Sequence, residues 1–214
     1  MRKLVFVIIN YNDYKTTKRL LDNIKDYKVI DKIYVVDNHS TDNSYEELKK
    51  LNIKRYEVIE TSSNKGFASA LNIGAKKAID DFSNVDIIFS NSDIIINSND
   101  NLEELKKTLD ERDVGLVGPV VFQQGVLNRG WKIPRPIDEV LSNLPGIGKK
   151  FNKKLYYDED HYKRDVSEVE VISFCFFLIK SEVLKKIGFF DENTFYTMKK
   201  ILWQVNLNIL DIKY

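Results

Sequence analysis

Three short polar segments carry the side chains of this chain that could do chemistry together. They cover residues 35–44 (VVDNHSTDNS), 64–74 (NKGFASALNIG) and 89–93 (FSNSD). Asp37 and Asp93 each come at the end of a short apolar run, which indicates a carboxylate at the end of a buried strand. Open α/β sheets bind ligands at the carboxyl ends of their strands, so we expect the three segments to form one site. Carboxylates there suit a nucleotide and a divalent cation bound to its diphosphate.

Apolar runs alternate with helical patterns along the first half of the chain. The expected strands are residues 4–9, 33–36, 56–59, 85–89, 114–121 and 169–179. Three expected helices begin near residues 13, 41 and 66, and two more cover residues 102–109 and 181–187. Such β-α-β alternation is typical of a parallel sheet. The fold class that follows is α/β, a single domain with a mostly parallel central sheet and helices on both faces.

Composition excludes several classes of site and of partner. The loop after the first strand, residues 10–14, has no glycine, so pyrophosphate cannot approach its backbone as in a dinucleotide-binding fold. Two histidines and the single Cys175 make neither a zinc site nor an internal disulfide, and one free thiol fits a reducing cytoplasm. A net charge of +1 implies no nucleic-acid partner. No segment approaches the roughly 18 apolar residues of a membrane span.

The order and spacing of these segments resemble the donor site of the family 2 glycosyltransferases. Residues 7–12 (VIINYN) are similar to the family's first strand and loop, residues 35–44 to its most specific signature, and residues 64–74 to its N-x-G-x-A-x-A-x-N-x-G segment. Residues 90–93 stand where the family carries D-x-D or N-x-D, and residues 188–195 (GFFDENTF) resemble its G-x-F-D-E-x-x-F segment. Each segment alone indicates only a turn or a helix cap, so their joint order carries the resemblance.

The resemblance implies a Rossmann-like domain of the GT-A type and roles for individual residues. Asp37 would accept hydrogen bonds from the base or ribose of a nucleotide-diphospho-sugar. Asp93 would bind Mg²⁺ or Mn²⁺, which neutralises the diphosphate leaving group. The residues that would bind the donor are Asn10, Asn12, Asp37, Asn38, Ser40, Asn64, Gly66, Asn72, Asn91 and Ser92.

The activity that the resemblance implies is transfer of a sugar to an acceptor hydroxyl with inversion, in the synthesis of a surface polysaccharide. The acceptor would be a saccharide or a lipid-linked saccharide, and a rhamnosyltransferase-like branch is left open. Residues 1–122 would form the donor-binding half, residues 123–195 the acceptor-side half, and residues 196–214 an atypical tail. We expect a cytoplasmic protein, and we leave open its contact with the inner face of the membrane and its assembly into a homo-oligomer.

The resemblance extends over residues 4–195 and departs from the family at two points. Ser173 stands where a glycine is often found, and the acidic pair expected after Phe195 is missing. In the family that pair supplies the general base that takes the acceptor's proton. No carboxylate follows Phe195 until Asp211. The resemblance therefore implies either a glycosyltransferase or a non-catalytic nucleotide-sugar-binding remnant. A nucleotidyltransferase is disfavoured, since it needs a Gly-rich basic loop after the first strand.

We predict that the residues after Phe195 are encoded out of frame. The tail is rich in Ile, Leu, Lys and Asn, which A+T-rich DNA gives in any frame. Inserting one T after the Phe195 codon shifts the reading frame by one base. The last base of the Met198 codon (ATG) then joins the first two bases of the Lys199 codon (AA) to give GAA, which encodes glutamate. An AAG codon at Lys199 adds a second glutamate and restores the acidic pair. Sequencing the gene and its genomic neighbours tests this, and relatives that share the 196–214 tail in an uninterrupted gene would contradict it.

Overall fold

The computed structural model describes residues 2–111, 114–123, 125–133, 137, 144, 156–193 and 208–212. The strands are β1 (Lys3–Asn10), β2 (Lys32–Asp37), β3 (Tyr56–Glu60), β4 (Val85–Ser90), β5 (Val114–Pro119), β6 (Val121–Gln123), β7 (Val126–Asn128), β8 (Val166–Val169), β9 (Phe176–Lys180) and β10 (Asn208–Ile212). The helices are α1 (Tyr14–Ile24), α2 (Ser44–Lys49), α3 (Phe67–Phe82), α4 (Asn99–Leu109) and α5 (Ser181–Lys186), with a 3₁₀ turn at His161–Lys163. Apart from β10, the tail after Phe195 lies outside the described residues.

Within the described residues, the main sheet has eight strands in the order β3-β2-β1-β4-β9-β5-β10-β8. Its first four strands are parallel to one another, which confirms the expected α/β fold. Strand β9 lies between β4 and β5 and runs antiparallel to both. The sequence did not indicate this insertion. Strands β6 and β7 form a separate antiparallel hairpin.

Two expected strands are interrupted by turns that their apolar runs conceal. The expected strand over residues 169–179 is wrong as one element, because β8 and β9 occupy only its two ends. Between them Val171 pairs with Trp131 outside the main sheet, and the chain then turns at Phe174 and Cys175. The expected strand over residues 114–121 is split as well. Strand β5 ends at Pro119, which has no N–H to continue a ladder.

Strand β1 is buried on both faces, as its continuous apolar run predicts. One face, with Val5 and Val7, packs in a cluster that includes residues of α3 and α5. The other face, with Leu4 and Phe6, packs with residues of α1, α2 and α4. Helices therefore cover both faces of the sheet, as expected. The carboxyl ends of β1, β2 and β4 remain together at one edge.

Helix α3 packs directly against the sheet at Gly74. A Cβ atom added at Gly74 would overlap Cγ1 of Val7 on β1 and would lie 3.1 Å from Cγ2 of Val36 on β2. The glycine and alanine residues of α3 leave room for this approach. The approach holds the start of α3 beside the carboxyl ends of the strands.

We expect Gly74→Ala to lower the free energy of unfolding by about 1–3 kcal/mol, the usual cost of overpacking, although alanine is the better helix former. Urea unfolding measures the change. Val7→Ala removes the overlapping methyl group and leaves a cavity, so it is destabilising by itself. The double variant should lose less stability than the sum of the two single losses. Strictly additive losses would contradict the overlap.

Candidate functional site

The last residues of β1 and β2 begin the site. Asn10 and Asp37 are register partners at the carboxyl edge of the sheet. The backbone N of Asn38 donates to the carbonyl of Asn10 at 2.8 Å, which extends the pairing past the strand ends. Both polar side chains are buried, with 1% of Asn10 and 0% of Asp37 exposed. Buried polar groups need hydrogen-bond partners, and the loops after the two strands supply them.

Both carboxylate oxygens of Asp37 are hydrogen-bonded within the protein. Oδ1 accepts from the backbone N of Ser40 at 2.8 Å, and Oδ2 accepts from Oγ of Ser40 and from Nδ2 of Asn10, each at 2.7 Å. Oδ1 of Asn10 accepts from Oγ1 of Thr17 on α1 at 2.7 Å. The carboxylate thus joins two loops and a helix. The sequence predicted an acceptor for the base or ribose, whereas here Asp37 presents no exposed surface to a ligand.

Asn12, Ser40 and Thr41 connect the rims of the same two loops. The backbone N of Asn12 donates to Oγ of Ser40 at 2.9 Å, and the backbone N of Thr41 donates to Oδ1 of Asn12 at 2.7 Å. Asn12 and His39 have φ angles of 52° and 62°, which are uncommon for residues with a Cβ. The hydrogen bonds hold these turns in place. Since Asn12, His39 and Thr41 are exposed, the site has a solvent-facing rim around a buried polar floor.

The third segment joins the site at the start of α3. Nδ2 of Asn38 donates to Oδ1 of Asn64 at 2.9 Å, and the same oxygen accepts from the backbone N of Gly66 at 3.0 Å. Gly66 precedes the first helical residue with φ of 94°, a conformation that favours glycine. Among the described residues, no side chain caps this helix start with a hydrogen bond. Free N–H groups at the N-terminus of a 16-residue helix suit a phosphate.

Asn72 lies apart from this network. Its Nδ2 donates to the carbonyl of Phe190 at 2.9 Å and to Oε1 of Glu192 at 2.8 Å, and its Oδ1 accepts from the backbone N of Phe190 at 3.0 Å. The hydrogen bond from Asn72, with another from Ser69, holds the pKa of Glu192 below its ordinary value. Asn72 therefore ties α3 to the segment before Phe195. With its amide fully used, we leave it out of the proposed donor site.

Asp93 is exposed just past the end of β4, and Asn91 and Ser92 beside it are half-buried. The backbone N of Asn91 donates to the carbonyl of Cys175 at 2.9 Å, which anchors this turn to the start of β9. Burial raises the pKa of the half-buried Cys175 thiol, and the negative charge of Asp93 adds to the rise. The charge of Asp93 thus acts on Cys175, which lies just before β9.

A divalent cation fits Asp93 only together with a ligand. Within the described part of the chain, no three His, Cys, Asp or Glu side chains group to hold a metal ion. Mg²⁺ is commonly held by one or two carboxylates together with substrate phosphates and water, so one exposed carboxylate is compatible with it. The donor set therefore fits a cation that arrives with a diphosphate.

Two positioning contacts were missed by the sequence analysis. The hydroxyl of Thr17 donates a hydrogen bond to Asn10. The only feature of the sequence that indicated this role is that Thr17 is a polar residue on the apolar face of α1. Asn23, also on α1, exchanges two hydrogen bonds with the backbone of Ile96: its Nδ2 donates to the carbonyl at 2.9 Å, and its Oδ1 accepts from the N–H at 2.8 Å. This pair fixes the segment that follows Asp93. Nothing in the sequence distinguished Asn23 from other helix-surface residues.

Solved structures share this architecture. The mannosyltransferase PcManGT from Pyrobaculum calidifontis, in complex with GDP-Man and Mn²⁺, matches with a TM-score of 0.67 and 16% identity, over 100% of this chain and 57% of that chain. S. aureus TarS 1-349 matches with a TM-score of 0.59 and 17% identity, over 98% of this chain and 58% of that chain. S. aureus TarS matches with a TM-score of 0.65 and 18% identity, over 99% of this chain and 35% of that chain. The chain therefore has their GT-A fold and spans less than two thirds of the length of each.

Sequence comparison identifies the family. No curated protein matches the sequence. Within the described residues, no helix is long and apolar enough to cross a bilayer. The model of the family described as Glycosyl transferase family 2 matches residues 5–188, a span that contains all three segments of the site. The chain belongs to glycosyl transferase family 2.

Proposed function

We propose that this chain binds a nucleotide-diphospho-sugar and is the donor-binding part of a glycosyltransferase. The observation that carries the proposal is the continuous hydrogen-bonded network from the ends of β1 and β2 to the start of α3. It brings Asn10, Asp37, Ser40, Asn64 and Gly66 to one edge of the sheet. This edge is where open α/β sheets bind nucleotides. Family membership and the fold support the same assignment.

The buried network implies a division of labour within the nucleoside site. Asp37 acts as a positioning residue that orients Asn10 and Ser40, because its own oxygens are already bonded. Asn12 and Thr41 are hydrogen-bonded to each other but exposed, so they would be the residues that meet the base and ribose. A preformed rim costs little ordering on binding, which favours affinity.

The diphosphate would lie between the start of α3 and Asp93. The N–H groups at the first turn of a helix favour negative charge. Asp93, with phosphate oxygens, would hold Mg²⁺ or Mn²⁺. That cation supplies positive charge against the leaving diphosphate when it is bound. The Mn²⁺ named with PcManGT supports this choice of cofactor.

Transfer with inversion breaks the bond between the anomeric carbon and the diphosphate and forms one to the acceptor oxygen, whose proton must go to a base. The family carries that base just past Phe195, and this position lies outside the described residues. Asp191 and Glu192 precede it, and Glu192 is held by Asn72. We therefore assign no base. The surface-polysaccharide role, the cytoplasmic location and a saccharide or lipid-linked acceptor remain proposals from the resemblance.

A donor-binding remnant without turnover is the second candidate. It is favoured by the absence of any Asp or Glu between Phe195 and Asp211. Incubation with nucleotide sugars separates the two candidates. Donor binding without transfer or release of nucleoside diphosphate supports the remnant, whereas turnover supports the enzyme.

We expect Asp93→Ala to weaken the binding of UDP or GDP at least about tenfold in the presence of Mn²⁺, because the cation loses its protein ligand. Binding of uridine or guanosine should not change. Calorimetry with Mn²⁺ and then with EDTA measures both effects. Asp100→Ala is the matched control, since it removes an exposed carboxylate at the start of α4. If EDTA did not change the affinity for UDP or GDP, the cation would have no role in binding.

Asp37→Asn should both destabilise the protein and weaken nucleoside-diphosphate binding. The NH₂ group of the new asparagine would face a hydrogen-bond donor of Asn10 or Ser40, and that buried donor would lose its acceptor. The loss should lower the free energy of unfolding by about 1–3 kcal/mol. Asp42→Asn is the control, because it removes the same charge from an exposed site in the same loop. Urea unfolding and calorimetry give the two quantities. If Asp37→Asn and Asp42→Asn had the same effect on the free energy of unfolding and on nucleoside-diphosphate affinity, Asp37 would not organise the site.

A further inference from the structure

The segment between β4 and α4, residues 91–98, carries Asp93 and contains neither helix nor strand. Asn91 and residues 93–97 line a cavity of about 550 Å³, which lies between this segment, helix α4 and the β6–β7 hairpin. A cavity offers no packing contacts to the side chains that line it. The position of the Asp93 carboxylate therefore depends on the hydrogen bonds that hold the backbone of its segment.

Ile96 is the one buried residue of this segment, and both of its backbone groups are bonded to a single side chain. Nδ2 of Asn23 on α1 donates to the carbonyl of Ile96 at 2.9 Å, and Oδ1 of Asn23 accepts from its N–H at 2.8 Å. The hydroxyl of Tyr27, three residues past the end of α1, donates to the same carbonyl at 2.8 Å. The side chain of Ile96 packs in one cluster with Ile24 of α1. Helix α1 and the residues after it therefore anchor the middle of the segment.

The same helix also contacts the floor of the nucleoside site. Thr17 is fully buried, and its hydroxyl donates to Oδ1 of Asn10 at 2.7 Å. Thr17 and Asn23 are six residues apart on α1, which corresponds to about 9 Å along a helix axis. One regular helix thus joins the nucleoside floor to the segment of Asp93 and sets the spacing between them.

The two ends of the segment are held by other hydrogen bonds. The backbone N of Asn91 donates to the carbonyl of Cys175 at 2.9 Å. At the other end, Oδ1 of Asn99 accepts from the backbone N of Val29 at 3.1 Å. Loss of the Asn23 side chain would therefore free the middle of the segment and leave its ends attached. The expected effect is a displaced Asp93 in a protein that still folds.

We propose that Asn23 and Tyr27 are positioning residues for the carboxylate of Asp93, and that they set the preference for a nucleoside diphosphate over a monophosphate. The inference rests on the donor site proposed above. A diphosphate bound with Mn²⁺ must reach the cation on Asp93 while its nucleoside lies on the other loops. The second phosphate strengthens binding only while α1 holds Asp93 at the matching distance, because misplaced groups lose the benefit of preorganisation.

Hydrogen exchange on the full chain without ligand tests the anchor itself. In Asn23→Ala, residues 91–98 should exchange about tenfold faster, as expected for the loss of their hydrogen bonds, while residues 38–43 keep their rates. Tyr27→Phe should give a smaller rise, because the carbonyl keeps its bond to the asparagine. Ile24→Val is the matched control, since it removes a buried methyl group from α1 and spares these hydrogen bonds. Equal exchange of residues 91–98 in the variants and the control would overturn the anchor.

Calorimetry with UDP against UMP, and with GDP against GMP, each with Mn²⁺, tests the effect on the ligand. Asn23→Ala should lower the ratio of diphosphate to monophosphate affinity about tenfold. Ile24→Val should leave the ratio unchanged, because a general loss of stability affects both ligands alike. In the Asp93→Ala background, Asn23→Ala should lower the ratio no further, since it acts through Asp93. An unchanged ratio in Asn23→Ala, or additive losses in the double variant, would overturn the positioning role.

The same measurements separate this inference from the donor proposal. If Asp93→Ala lowers the ratio and Asn23→Ala does not, the positioning role fails and the donor proposal stands. If neither variant lowers the ratio, or if no nucleotide binds, the donor proposal fails and the positioning role fails with it.

Discussion

A fully buried carboxylate at the end of a strand is the constraint on which this site depends. Taking Asp37 out of water is costly unless the charge is hydrogen-bonded, and the protein supplies three donors to it. Those donors come from Asn10 and Ser40. The need of the Asp37 carboxylate for hydrogen bonds therefore fixes the loops after β1 and β2. Thr17 then orders Asn10 from α1. The polar floor of the site is thus a consequence of satisfying Asp37.

The close packing of α3 connects this floor to the rest of the site. Gly74 lets the helix approach Val7 and Val36, and Asn38 reaches Asn64 at its start. A larger residue at Gly74 would move the helix away from the sheet. The N–H groups at the helix start would then be displaced from the loops, so a packing residue in the middle of α3 helps to set the geometry of a ligand site at its end.

Strand β9 shapes the other side of the site. By running antiparallel between β4 and β5, it places the turn at Cys175 beside Asn91, and their backbones are hydrogen-bonded. The start of β9 also provides Phe176 to the wall of the cavity. Asp93 therefore borders the cavity, whose described lining includes apolar side chains and two arginines.

Much of this could be predicted from the sequence, and the exceptions have physical reasons. The first four strands and α3 were predictable because their hydrophobic patterns are local and unbroken. Segment order alone placed Asp37, Asn64 and Asp93 at one edge. The turn at Ser173 was hidden within an apolar run, and the antiparallel direction of β9 depends on long-range pairing. The contacts that bury Asp37 and occupy Asn72 involve residues up to 120 positions apart, which no local pattern reveals.

The most direct test is a crystal structure of the chain with a nucleoside diphosphate and Mn²⁺. The account predicts the nucleoside on the rim formed by Asn12 and Thr41, the diphosphate at the start of α3, and the Mn²⁺ ion on Asp93. Asp37 should keep its hydrogen bonds to Asn10 and Ser40 in that complex. A nucleotide bound away from this edge, or a metal ion held by other side chains, would contradict the account.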